Sequence, residues 1–175
     1  MASRIVRTEP LTPEGFASYG HVIVADRADI VGKPANQGTA TRYNWLGSIE
    51  NLRPGQAHLN LCLFRCKPRR VWPMRVEIME RHEQSTQVIV PMNADRYVVL
   101  VAKPGGDTPD LSTLRAFLAT GRQGVAYLPG TWHHPLLALG EETDFGCVVW
   151  EDLSDADNTI ITLHEADRPT VELLA

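Results

Sequence analysis

The sequence lacks most features that mark secreted or membrane-spanning proteins. Its 175 residues include only three cysteines, Cys62, Cys66 and Cys147, and no two of them form a C-x-x-C pair. No apolar run approaches the ~20 residues that span a bilayer, and the amino terminus has no apolar signal segment. These absences predict a reduced, cytoplasmic protein whose cysteines are small buried side chains without a redox or zinc role.

Neither sign of charge is in large excess. The 17 Lys and Arg residues stand against 21 Asp and Glu residues, for a formal charge of −4. Proteins that bind nucleic acid or an anionic membrane carry a basic patch or stripe, so we expect neither partner. Internal repeats and composition breaks are also missing, and we expect residues 1–175 to form a single domain.

The chain does contain a series of short strand patterns. They are apolar or alternating segments bounded by Gly, Pro, Asn or Asp. The segments are His21–Ala25, His58–Cys66, Val76–Arg81, Thr86–Met92, Arg96–Lys103, Gly124–Leu128, Trp132–Leu139, Phe145–Asp152 and Asn158–Glu165. Short strands at regular spacing, without βαβ alternation, predict a mainly β sandwich or barrel.

Two segments carry helix signals, and a third has no regular pattern. Thr12–Gly20 has a capping residue, a proline at the first helical position and a terminating glycine. Asp110–Gly121 has an Asp cap, apolar side chains at helical spacing and a glycine stop. Arg27–Asn51 is polar and Gly-rich. A loop of that length is often a lid or a binding arm.

A histidine pair follows a sharp turn in the second half of the chain. Pro129 and Gly130 favour a tight turn that leads into His133 and His134. Because side chains alternate along a strand, only one of the two histidines can face the interior. The spacing Gly124-x4-Pro129-Gly130-x2-His133 resembles the second sequence motif of the cupins, and this resemblance selects His133.

A matching segment lies upstream. Glu80-Arg-His82-x4-Gln87 resembles the first cupin motif, which reads His-x-His-x4-Glu. The resemblance implies a cupin-like antiparallel β-barrel or jelly roll with a few short helices. It also implies a divalent metal, Ni or similar, at His82, Gln87 and His133. Because a neutral Gln is a poor ligand, a site without metal is an equal alternative, and no organic cofactor is expected.

Three stretches resemble one cupin family more closely. Residues 80–92, 103–117 and 121–136 agree in order and spacing with the ureidoglycolate lyase family, also called the ureidoglycolate hydrolase family, which acts in allantoin breakdown. The match covers most of residues 76–150 and extends weakly to the amino end. It implies a carbon–nitrogen lyase of purine and nitrogen metabolism that cleaves ureidoglycolate to glyoxylate and urea.

The implied reaction needs a base for the hydroxyl group and an acid for the leaving nitrogen. Burial and mutual charge can bring carboxyl and imidazole groups toward neutral pKa values. Glu80, His82 and His133 are therefore the predicted catalytic residues. Other readings stay open: hydrolysis that releases ammonia and CO2, a non-catalytic cupin that binds a small carboxylate, and a metal-dependent isomerase or dioxygenase.

The substrate also carries a carboxylate, which a guanidinium can hold through two parallel hydrogen bonds. Arg42 is predicted to do this, with Asn36 and Tyr43 beside it in the long loop, and Trp132 is predicted to form a wall of the site. Arg81 is a weaker choice, because alternation turns it away from Glu80 and His82. Cupin barrels commonly pair through edge strands, and an uncovered edge is a liability, so we expect a homodimer.

Overall fold

Strands make up nearly half of the chain. The computed structural model of the chain describes residues 4–25 and 27–174. In those ranges the helix α1 spans Pro13–Phe16, and single 3₁₀ turns lie at Asn36–Gly38 and Glu165–Asp167. The strands are β1 (Ile5–Pro10), β2 (Gly20–Ile23), β3 (Lys33–Ala35), β4 (Ala40–Arg42), β5 (His58–Cys66), β6 (Met74–Arg75), β7 (Ile78–His82), β8 (Gln87–Pro91), β9 (Arg96–Pro104), β10 (Pro109–Thr120), β11 (Gly124–Tyr127), β12 (Trp132–His133), β13 (Leu137–Ala138), β14 (Thr143–Glu151), β15 (Asn158–Thr162) and β16 (Thr170–Glu172).

The strands form two large sheets and one hairpin. The larger sheet has the order β15-β7-β12-β9-β10-β1-β16-β6, with β13 also paired to β9. The five-stranded sheet has the order β2-β11-β8-β14-β5, and β3 pairs with β4. Pairing is antiparallel except where β1 runs parallel to β10 and to β16. The predicted mainly β, cupin-like architecture is confirmed, whereas the single-domain organisation of residues 1–175 stays a prediction.

The larger sheet is buried on both faces. Along β9, Val99 and Val101 pack into a core that it shares with the five-stranded sheet. Val98 and Leu100 pack into a second core on the far side. Because neighbouring residues of a strand point to opposite faces, each strand at the centre of this sheet contributes to both cores. This alternation also decides which side chains reach the space between the sheets.

The predicted helix at Asp110–Gly121 is wrong. The segment lies in β10, which pairs with β9 on one side and with β1 on the other. Leu114 faces one core, whereas Phe117 faces the other. A strand buried on both faces is apolar at nearly every position, and such a run can imitate helical spacing. Two neighbouring strands therefore overrode the local signals.

The predicted helix at Thr12–Gly20 is confirmed, although it is shorter. The Thr12 side chain accepts a hydrogen bond from the Gly15 amide at 3.0 Å, and proline holds the first helical position. The helix stops early because Gly20 begins β2. A Cβ atom there would lie 2.0 Å from the Ala126 carbonyl oxygen. The close approach of these two backbones thus requires glycine and fixes where β2 pairs with β11.

Candidate active site

The first and second motifs meet on neighbouring strands. Glu80 of β7 is the register partner of His133 of β12, so the two side chains share one face of the larger sheet. His82 lies two residues after Glu80 and points to the same face. The His82 and His133 rings are nearly parallel, with centroids 6.1 Å apart and an interplanar angle of 18°. The structure thus brings the two rings together on one face of the sheet, and the catalytic roles of Glu80, His82 and His133 stay predictions.

The turn before His133 is built as the sequence indicated. Gly130 has φ of 80°, and the Thr131 amide donates to the Leu128 carbonyl at 3.0 Å. Proline at the second position and a left-handed glycine at the third are typical of a type II turn. The Gly130 amide also donates to the His82 backbone carbonyl at 2.7 Å. The turn that delivers His133 is thereby tied to the strand that carries His82.

The His133 ring is held on three sides. Its Nδ1–H donates to the Thr131 carbonyl at 3.0 Å, and the Tyr127 ring stacks on it with centroids 4.1 Å apart and a 6° angle. Its Nε2 faces Oε1 of Glu80 at 3.3 Å. That contact is too poorly aligned for a good hydrogen bond, and the buried Nε2 has no other partner. The ring is thus fixed with Nδ1 on the backbone carbonyl and Nε2 toward the carboxylate, so an Nε2 that carries a proton can donate to Glu80.

His82 is held by the amide of Gln87. The two side-chain nitrogens, Nε2 of each residue, lie 2.9 Å apart. An amide N–H that donates to Nε2 leaves the proton of a neutral imidazole on Nδ1. The turn between these residues is fixed by Asp157, which accepts hydrogen bonds from the Gln84 amide and the Ser85 hydroxyl, each at 2.5 Å. Gln87 therefore positions His82.

The surroundings of Glu80 and His82 lower both pKa values. Burial opposes ionisation of Glu80, but the contact with His133 and the charges of the nearby histidines outweigh it, so the pKa of Glu80 lies below its usual value. Burial is the main cause that lowers the pKa of His82, and His133 adds to it. Near neutral pH the site therefore holds an ionised carboxylate beside a neutral His82 imidazole.

A pH dependence of stability follows from these directions. The unfolded chain protonates His82 near the ordinary pKa of 6.5, above the pKa in the folded protein. The free energy of unfolding should therefore decrease as pH falls below about 6.5. The lowered pKa of Glu80 also decreases the free energy of unfolding at lower pH. The stabilisation that the ionised carboxylate provides is lost as pH falls through the pKa of Glu80 in the folded protein.

Urea denaturation at a series of pH values measures this effect. The His82→Gln variant should lose part of the slope of unfolding free energy against pH, since its side chain cannot titrate. The exposed His58 supplies the control variant, His58→Gln, which should keep the wild-type slope. An identical slope in wild type and His82→Gln would contradict the prediction.

The two sheets enclose a cavity of about 300 Å³ at this place. The polar side chains in its wall include two carboxylates, two amides and His82. The full set that lines it is Cys62, Phe64, Cys66, Glu80, His82, Gln87, Ile89, Pro135, Leu136, Cys147, Val149, Glu151 and Asn158. His133 lies behind Glu80 and is only 2% exposed. No Lys or Arg is among the described residues of the wall, although the predicted substrate is an anion.

Several of these wall residues were missed by the sequence reasoning. All three cysteines are unpaired and line the cavity, where Cys147 of β14 is the register partner of Cys62 of β5. Glu151 and Asn158 also reach it. Alternation within the predicted segment Phe145–Asp152 places Cys147, Val149 and Glu151 on one face. This alternation could have identified the three residues as cavity residues if the face that points inward had been known.

The predicted substrate-binding residues lie elsewhere in the single chain. Asn36 and Arg42 are exposed around the β3–β4 hairpin, with Tyr43 directly after it, and none of the three lines the cavity. Trp132 is fully buried in the second core. It precedes the inward-facing His133, so alternation turns it to the opposite face. It therefore forms no wall of this cavity.

Two further expectations on neighbouring residues are confirmed. Arg81 points away from the cavity, where its guanidinium lies 4.6 Å from the Trp132 ring centroid and donates to the Gly106 carbonyl at 3.0 Å. It also forms an ion pair with Glu83. His134 packs against the backbone, because its Nδ1 lies 2.7 Å from the Pro135 carbonyl oxygen. Neither side chain lines the cavity.

The donors do not form a preassembled metal centre. Glu80 and His133 face each other at contact distance, and Nε2 of His82 faces Gln87 instead. Across residues 4–25 and 27–174, no group of three or more His, Cys, Asp or Glu side chains is arranged to hold a metal ion. A divalent metal at His82, Gln87 and His133 stays a prediction.

The arrangement defines a cupin-like β protein with a buried carboxylate–imidazole pair at the wall of a small cavity. The model of one family, described as ureidoglycolate lyase, matches residues 3–168. The chain belongs to the ureidoglycolate lyase family. No helix within the described part of the chain is long and apolar enough to cross a membrane.

Curated relatives agree with this membership. A ureidoglycolate lyase of Burkholderia cepacia is 44% identical over 142 residues, which are 81% of this chain and 77% of that protein. One of Salmonella paratyphi B is 41% identical over 156 residues, which are 89% of this chain and 94% of that protein. Among solved structures, a dTDP sugar isomerase of Desulfovibrio desulfuricans has 14% identity, a TM-score of 0.42, and coverage of 75% of this chain and 79% of that chain.

Proposed function

We propose that the chain is a carbon–nitrogen lyase that cleaves ureidoglycolate to glyoxylate and urea in purine degradation. The observation that carries the proposal is the ionised Glu80 in the wall of a cavity between the two sheets, with Nε2 of His133 at 3.3 Å from its Oε1. Relatives named ureidoglycolate lyase cover most of the chain. The cavity of about 300 Å³ suits a small metabolite, since it is at the lower end of ligand pockets.

Glu80 is the proposed proton acceptor. It takes the proton of the substrate hydroxyl, whose oxygen electrons form the C=O bond of glyoxylate as the C–N bond to urea breaks. The hydroxyl and the leaving nitrogen sit on one carbon, so the same carboxyl group can return the proton to that nitrogen. No water is consumed, and Glu80 ends the cycle ionised as it began.

The two histidines support this transfer in different ways. His133 lies behind Glu80 and stabilises its ionised form, which burial alone would disfavour. His82 lines the cavity beside Glu80 and, as a neutral imidazole held by Gln87, keeps an N–H donor for a substrate oxygen. Proton transfer by a positioned group contributes typically about 10²–10⁴-fold.

A product assay tests the reaction. Purified protein is incubated with ureidoglycolate while glyoxylate, urea and ammonia are followed. Equal amounts of glyoxylate and urea support the lyase, ammonia without urea supports the hydrolytic alternative, and binding without turnover supports a non-catalytic cupin. Parallel samples of metal-stripped and metal-restored protein show whether a divalent metal such as Ni is required.

Arg42 remains the proposed anchor of the substrate carboxylate. No cation is among the described residues that line the cavity, so the charge must come from outside that wall, and Arg42 is exposed on a hairpin. Glyoxylate affinity should fall about tenfold or more in Arg42→Ala and also in Arg42→Lys, because lysine keeps the charge but loses the planar fork.

Calorimetric titration with glyoxylate measures the affinity of both variants. The exposed Arg96 of β9 provides the control variant Arg96→Ala, for which the affinity should not change. An Arg42→Ala protein with wild-type affinity would remove Arg42 from the site.

We also propose a cytoplasmic location and a homodimer. All three cysteines are unpaired in the structure, as in a reducing compartment. The pairing of two chains is supported by an uncovered strand at the end of the five-stranded sheet.

A further inference from the structure

The wall of the cavity is rich in hydrogen-bond acceptors. Two carboxylates, Glu80 and Glu151, line it together with the amide of Asn158, and no Lys or Arg is among the described residues of the wall. Ureidoglycolate has two unlike ends. Its carboxylate end offers only acceptors, whereas its ureido end offers N–H donors beside one carbonyl oxygen. The described wall therefore suits the ureido end, and its two carboxylates repel the other end.

Asn158 supplies an acceptor that the protein itself leaves unused. It is the register partner of His82 across β15 and β7, so the two side chains share the face that lines the cavity. Across residues 4–25 and 27–174, its Oδ1 is the only buried side-chain oxygen without a hydrogen-bond partner. Buried polar atoms are nearly always paired. An unpaired oxygen on a side chain of a cavity wall therefore indicates that a ligand supplies the donor.

The position of Asn158 is fixed by bonds within the protein. Its backbone amide donates to the Asp155 carbonyl at 3.1 Å. The preceding residue, Asp157, is 5% exposed and accepts from the Gln84 amide and the Ser85 hydroxyl. The start of β15 is thereby tied to the turn between β7 and β8. A side chain held in this way loses little freedom when it binds a ligand.

A further acceptor lies on the facing sheet. Glu151 is the last residue of β14, and the loop 152–157 leads from it to Asn158. The Asn60 amide donates to Oε2 of Glu151 at 2.6 Å. A carboxylate has lone pairs for about four hydrogen bonds, so Glu151 can accept another N–H as well. Acceptors from both sheets therefore border one cavity.

We propose that Asn158, with Glu151, binds the ureido group of the substrate and directs its carboxylate away from these two residues. The inference rests on the proposed function, because it takes ureidoglycolate as the ligand. An amide and a ureido group can form two complementary hydrogen bonds, since each has an N–H donor and a carbonyl acceptor. Asn158 is thus a specificity-determining residue, which selects small acids with a terminal ureido group over acids of the same shape without one.

Two stable probes test the proposal. Ureidoacetate has the ureido and carboxylate groups of the substrate but lacks the hydroxyl group, so it cannot be cleaved by the same route. N-acetylglycine has the same shape, with a methyl group in place of the terminal NH₂. In calorimetric titration, wild type should bind ureidoacetate about tenfold or more tightly than N-acetylglycine. In Asn158→Leu and Asn158→Ala this ratio should fall to about threefold or less.

Thr159→Val is the matched control. It removes a polar group one position further along β15, where the side chain points away from the cavity, so the ratio should equal that of wild type. Glyoxylate has no ureido group and should bind Asn158→Leu as tightly as it binds wild type. Circular dichroism shows whether the strands of each variant are intact. An asparagine with only a structural role would weaken the binding of glyoxylate and of both probes alike.

Equal affinity of wild type for the two probes overturns the proposal, as does a failure to bind either. So does a wild-type ratio in folded Asn158→Leu and Asn158→Ala, or an equal loss of affinity for all three ligands. The product assay judges the lyase separately. A wild type that cleaves ureidoglycolate but does not distinguish the probes keeps the activity and loses the ureido site. One that prefers ureidoacetate without turnover keeps the ureido site and loses the activity.

Discussion

Glu80→Gln should lower kcat for ureidoglycolate cleavage by about 10²–10⁴-fold and change the free energy of unfolding by less than about 1 kcal/mol. The substitution keeps the shape and polarity of the side chain but removes the ionised proton acceptor that lies in the cavity wall at the contact with His133. Its stability effect is small because burial of the carboxylate and its contact with His133 oppose each other.

Rates of glyoxylate release and urea denaturation of the same samples measure both quantities. Glu141→Gln is the control, since Glu141 is exposed and lies outside the cavity wall. Its rate should equal that of wild type. If Glu80→Gln kept near-normal turnover and lost stability instead, Glu80 would be a structural partner of His133, and the acid–base scheme would be wrong.

His133→Asn has the second largest expected effect, a loss of about 10²-fold in kcat at neutral pH. Without the imidazole behind it, nothing at this contact offsets the burial of Glu80, so the pKa of Glu80 should rise. The acid limb of the profile of kcat/KM against pH should therefore shift to higher pH. A purely structural histidine would change stability without this shift.

The neighbouring residue offers a close control for that experiment. His134→Asn makes the same chemical change one position further on, where the ring packs against the Pro135 carbonyl and does not contact Glu80. Its acid limb should shift less than that of His133→Asn, because His134 acts on Glu80 only through its charge and has the smallest effect of the three histidines that lower the pKa of Glu80. Loss of the Tyr127 stack should lower the stability of His133→Asn by about 1–3 kcal/mol, which thermal unfolding can follow separately. An unshifted acid limb in His133→Asn would show that His133 does not tune Glu80.

The parts of the site that depend on local turn residues could be predicted from the sequence. Pro129 and Gly130 form the turn expected from their backbone preferences, and the motif spacing selected His133 over His134. Glu80 and His82 share a face because they are two residues apart on a strand. These relations depend on a few consecutive residues, so they can be read from sequence.

Trp132 and Arg42 show where such reading ends. Trp132 directly precedes the predicted catalytic residue His133, and Arg42 lies in a polar, Gly-rich segment of the kind that often binds ligands. Trp132 is nevertheless buried in the second core, and Arg42 does not line the cavity of the single chain, so its role as an anchor stays a proposal. Adjacency along a chain brings side chains together only if the backbone turns them to the same face, and a loop residue reaches a site only if the loop folds over it.

The sequence by itself determined the strand-rich fold, the family and the strand positions of Glu80, His82 and His133, because alternation, turn residues and motif spacing are local. Only the tertiary structure decided that β10 is a strand between β1 and β9, and that three cysteines and Glu151 line the cavity. Each of these depends on which distant strands become neighbours, and hence on contacts that no segment of the chain specifies alone.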